Sequence, residues 1–96
     1  MSAGIKTITH TFADDSPVQL SSLQGEGTNF ASFILLRAGD ENTGTVTWAD
    51  AAAGKAGGYL GQGEAASFHS ENGYISTSQL WITSTSSNEV YITLIS

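Results

Sequence analysis

Ninety-six residues suffice for one domain and one core, and a chain this short buries roughly 60–70% of its unfolded surface. A core and a deep enclosed pocket do not both fit in that length. Three basic residues (Lys6, Arg37, Lys55) stand against nine acidic ones, a formal charge of −6, which argues against a basic face for nucleic-acid phosphates and against attraction to an anionic membrane; the absence of cysteine excludes disulfides and thiolate metal sites.

Along the chain, Ile5 to Phe12 (IKTITHTF) is Thr-rich and has β propensity. Ile8, His10 and Phe12 share one face and Ile5 takes the other, a pattern that suits an edge strand or an arm. Asp14-Asp15-Ser16-Pro17 signals a turn, and Val18-Gln19-Leu20 starts a short strand. Ser21 to Asn29 reads as a loop. Phe30 to Ala38 (FASFILLRA) is the most apolar run; its shortness and its Phe and Ile content predict a strand whose centre is buried on both faces.

Thr43 to Trp48 alternates, with Val46 and Trp48 on one side and Thr45 and Thr47 on the other. Ala49 to Ala56 has some helix propensity, but Gly54 interrupts it and a loop is expected. Gly57 to Glu64 reads as a glycine-dense connection into the strand Ala65 to His69. Glu71-Asn72-Gly73 predicts a hairpin-type turn. Tyr74-Ile75-Ser76, Leu80 to Thr83 and a last strand after the polar turn Ser84 to Glu89 complete the pattern. The fold class is therefore all-β: a small antiparallel β-sandwich or jelly-roll-like barrel of seven to eight short strands. Residues 1–29 are expected to form an N-terminal arm and the first short strands, and 30–96 the β-sandwich core, as one domain overall. The last strand is expected to end the chain inside its sheet.

Chemistry is thinly represented. Gly57, Gly58, Gly61 and Gly63 lack the spacing and the strand-to-helix setting of a phosphate loop. His10 and His69 come without matching carboxylates, a weak metal signal. Asp14-Asp15 and Asp40-Glu41-Asn42 lack the alternation of a calcium loop and read as solvated turns. Thirteen Ser and eleven Thr include no nucleophile elbow, Ser67 and Ser70 beside His69 among them. No catalysis, cofactor or metal is expected. Trp48, Trp81, Tyr59, Tyr74 and Tyr91 offer either core or a sugar-stacking platform. Trp81 is expected in the core, although Leu80 and Ile82 occupy the face opposite to it; a subunit interface is its other destination.

The second half carries a resemblance. A Thr-Val-Thr-Trp strand, a glycine-rich link, Tyr-Leu-Gly-Gln-Gly-Glu, a short strand, a Leu-Trp-Ile strand, a polar turn and Val-Tyr-Ile-Thr-Leu-Ile follow one another. This order, over Phe30 to Ile95, resembles small virion proteins of tailed bacteriophages, in which a Leu-x-Pro-Gly-Glu turn precedes a strand. Here Leu60-Gly61-Gln62-Gly63-Glu64 holds that place, with Gln62 instead of the proline. Closest in size and composition are β-sandwich capsid decoration (cement) proteins. The resemblance implies a structural, non-enzymatic virion protein made in the host cytoplasm and bound to the outer capsid surface. It implies a homotrimer on the major capsid protein lattice, with no nucleic-acid or membrane partner. A tail-associated receptor- or carbohydrate-binding β module is the alternative. Interface candidates are Ile5, Thr7, Ile8, Thr9 and Phe12 in the arm, with Trp48 and Tyr59. Deleting Met1 to His10 is expected to abolish capsid binding and spare the fold.

Overall fold

The computed structural model describes residues 4–25, 30–52, 54–70 and 73–95. Strands dominate them: β1 (Ile5–Thr11), β2 (Val18–Gln19), β3 (Phe30–Ala31), β4 (Phe33–Ala38), β5 (Val46–Ala49), β6 (Gly58–Leu60), β7 (Ala65–His69), β8 (Ile75–Ser76), β9 (Trp81–Thr83) and β10 (Glu89–Ile95). A front sheet runs β1-β10-β4-β7, a back sheet runs β2-β9-β5-β6, and β3 pairs with β8 alone, all antiparallel. Two four-stranded sheets in these orders are a jelly roll. Fold and sequence pattern agree on a small all-β sandwich.

Alternation in the central strands makes the core. Val90, Ile92 and Leu94 of β10 lie opposite Ala38, Leu36 and Ile34 of β4, and all six are buried. From the back sheet, Ile82 and Val46 meet them, with Trp48 and Val18 packed alongside. Phe12 and Leu20, just beyond β1 and β2, fill the space between the sheets.

Several local expectations change. Residues 5–12 are built into the sandwich: β1 pairs with β10 at all seven positions from Ile5↔Ile95 to Thr11↔Glu89, and Phe12 is only 2% exposed. Within the expected loop 21–29, Leu20–Gln24 forms one helical turn (α1) that places Leu20 and Leu23 on the core; residues 26–29 lie outside the described residues. The run Phe30 to Ala38 breaks at Ser32, whose N–H and hydroxyl both donate to the Ile95 carbonyl at 2.7 and 2.9 Å. Its apolar residues are buried on one face only. The glycine-dense connection contains β6. The turn expected at Glu71-Asn72 lies outside the described residues, and β8 pairs with β3, not with β7. Trp81 is half-buried on the outer face of the back sheet, because Ile82 takes the inner position and a strand's side chains alternate.

The two ends of the sandwich differ. At one, the turns 12–17, 39–45, 61–64 and 84–88 are tied to each other. The Asn42 side chain acts as a piece of strand against Glu89: its Nδ2 donates to the Glu89 carbonyl and its Oδ1 accepts from the Glu89 N–H, both at 2.8 Å. Asn88 Oδ1 accepts from the Thr43 and Gly44 N–H groups at 2.9 and 3.4 Å, and Asn88 Nδ2 donates to Thr85. Gln62 donates to the Asp40 carbonyl. Gln62 is also the second residue of a turn closed by Glu64 N–H on the Gly61 carbonyl at 2.9 Å. Gly63, the third, has φ +74°, as in a type II turn, where proline is favoured at the second position. The Gln62 bond anchors the same turn from outside.

The opposite end carries α1, the β3–β8 pair and a 3₁₀ turn (Thr77–Gln79). Buried Gln24 joins them, accepting from the Thr77 hydroxyl at 2.6 Å and donating to the Phe30 carbonyl at 3.1 Å.

Candidate functional site: the outer front face and an open-end cleft

Two features stand out, and both follow from side-chain parity. The first is the outer face of the front sheet. Registers place Ile5, Ile95, Phe33 and His69 in one row across four strands, Thr7, Thr93, Leu35 and Ser67 in the next, and Thr9, Tyr91, Arg37 and Ala65 in the third. Ile5 is 73% exposed, and Phe33, Leu35, Tyr91 and Ile95 are only half-buried. Arg37, which pairs with Asp40 at 2.9 Å, and Glu89 are the only formal charges facing outward from these strands, and both lie toward the tied-turn end. Two further aromatics are exposed, Phe30 within β3 and Tyr74 just before β8.

The second feature is a cleft of about 410 Å3 at the open end, floored by Trp48, Phe68 and Leu80 and rimmed by Asp50, Lys55 and Gln79. Trp48 points inward from β5 and lies cross-strand from Gly58. Phe68 meets it edge-on, ring centroids 5.5 Å apart. Glycine at 58 is dictated by the indole, since an added Cβ would lie 2.3 Å from two atoms of its six-membered ring. Gly58→Ala should therefore cost about 1–3 kcal/mol, the usual range for overpacking. A double-mutant cycle with Trp48→Ala, read by urea denaturation, should recover most of that loss; full additivity would refute the clash.

The seven interface candidates do not form one surface. Ile5, Thr7 and Thr9 lie together on the outer front face, and Tyr59, 68% exposed, stands on the outer face of the back sheet. Ile8 points inward and packs on the core. Phe12 is a core residue with no surface to offer a partner, because β1 brings it under the sandwich. Trp48 belongs to the cleft. Sequence reasoning missed Phe33, Leu35 and Ile95; the signal was the run FILL, apolar on both faces of a strand with only one face covered.

The titratable groups make no centre. His10 and His69 sit on opposite edges of the front sheet and on opposite faces, so they cannot share an ion. Partial burial beside Phe12 lowers the pKa of His10. Asp14 is lowered by hydrogen bonds from the Ser16 N–H and hydroxyl, as in a solvated Asx turn. Among the described residues, no three His, Asp or Glu side chains converge as metal ligands, and no helix is long and apolar enough to cross a membrane. Comparisons of the chain with protein families, with curated proteins and with solved structures find no match.

Proposed function

We propose that this chain is a structural subunit of a tailed-bacteriophage particle, a capsid decoration protein that acts by surface contact. The observation that carries the reading is the outer front face. Phe33, Leu35, Tyr91 and Ile95 form an apolar, nearly uncharged patch on a protein of charge −6. Aromatic and aliphatic side chains away from formal charge are what the centre of a protein–protein interface is made of. A repeating lattice asks of its cement only a rigid scaffold with a complementary face, and the tied turns at one end of the jelly roll supply rigidity. The sequence resemblance over Phe30 to Ile95 supports the phage assignment. The fold is neutral on it, since jelly rolls serve many functions.

Sedimentation with shells of the cognate major capsid protein tests the proposal. Binding should saturate. Ile5→Asp combined with Leu35→Asp should weaken it by more than about tenfold, as expected for central interface positions, while the far-ultraviolet spectrum stays unchanged. Light scattering of the free protein should give a trimer. Undiminished binding by the double variant would remove the front face from the mechanism.

A further inference from the structure

We propose that the open-end cleft is a binding site for a neutral saccharide, with one sugar ring laid against Trp48. The platform is preorganised. Gly57 and Gly58 back the indole so closely that neither position accepts a Cβ without displacing it, and Phe68 holds it edge-on. A fixed aromatic surface of this kind loses little freedom when a ligand lands on it, and its apolar face matches the C–H face of a pyranose.

The rim supplies the complementary polar groups. Asp50 offers carboxylate acceptors, Lys55 three donors and Gln79 both a donor pair and an acceptor. None of these three side chains is hydrogen-bonded to a described residue, so their capacity is open to a ligand. Sugar hydroxyls donate and accept at once, and a mixed rim of this kind satisfies both. Charge selects among ligands: Asp50 and Lys55 cancel each other, and the protein's −6 disfavours phosphates and other anions. A single carboxylate is too few oxygens to capture a cation. The cleft's volume lies within the range of about 300–1,000 Å3 typical of small-ligand sites.

The test reads tryptophan emission in a Trp81→Phe background, which leaves Trp48 as the sole reporter. Neutral mono- and disaccharides of the gluco, galacto and N-acetylhexosamine series are titrated into the full chain. At least one should shift the emission saturably. Asp50→Ala and Gln79→Ala, both solvent-facing substitutions, should weaken that binding by about tenfold or more, the effect of one lost charge-assisted or buried hydrogen bond, with unchanged melting temperature. No saturable response up to the roughly millimolar range would overturn the proposal. So would a response insensitive to both rim variants, or one displaced by inorganic phosphate or by short apolar peptides. The front-face variants Ile5→Asp and Leu35→Asp should leave sugar binding intact, so the two sites succeed or fail separately.

Discussion

Deleting residues 1–10 abolishes cooperative folding. The expectation follows from β1, which pairs with β10 along its entire length. Without residues 5–10, the central strand β10 of the front sheet becomes an edge, and six of its residues, Val90 to Ile95, lose their ladder partners. Ile8, half-buried against the core, is lost as well, at about 1–2 kcal/mol, below the roughly 1.5–3 kcal/mol of a fully buried side chain. Phe12 remains in the chain but loses the strand that delivers it between the sheets. A domain of this size has roughly 5–15 kcal/mol of stability in all, so the summed loss consumes it. Circular dichroism should show no sigmoidal melt, and the truncated protein should aggregate through the exposed edge of β10. A cooperative melt within a few degrees of the full chain would restore the view of this segment as an accessory arm. It follows that loss of capsid binding on such a truncation would say nothing about where the partner docks.

Asn88→Ala has the largest expected effect among the single substitutions, a loss of about 2–4 kcal/mol. Asn88 is 2% exposed, and its Oδ1 is the acceptor for the N–H groups of Thr43 and Gly44. Alanine leaves both donors without their partner, at about 1–2 kcal/mol each, the lower part of the range for an unsatisfied group because Thr43 is exposed and Gly44 half-buried. Thr85→Ala removes only the bond on the other side of the amide, where Thr85 itself is exposed, and should cost under about 1 kcal/mol. Equal losses for the two variants, measured by urea denaturation, would show that the Asn88 carbonyl does not hold the 39–45 turn. If the prediction holds, stability resides disproportionately at the tied end, and the open end is left free to carry contact surfaces.

Much of this molecule was legible without coordinates. Period-two alternation of Val46 and Trp48, the Thr-rich first strand, the turn residues around positions 14–17 and 84–89, and the absence of any sustained helical period all follow from local chemistry, and together they dictate an all-β sandwich. The same local rules placed Trp81 opposite Ile82 without saying which of the two faced inward. That choice depended on the sheet partners: Ile82 pairs with Val18 and Trp48, whose inner positions were already apolar. Pairing between distant segments likewise turned residues 5–11 into an integral strand, took Phe12 out of reach of any partner and made Gly58 the backing of an indole ten residues away. Composition and parity are short-range properties that a sequence states directly. Which apolar face remains open, and which side chains meet in a cleft, depends on contacts between residues far apart in the chain, and only the assembled sandwich decided them.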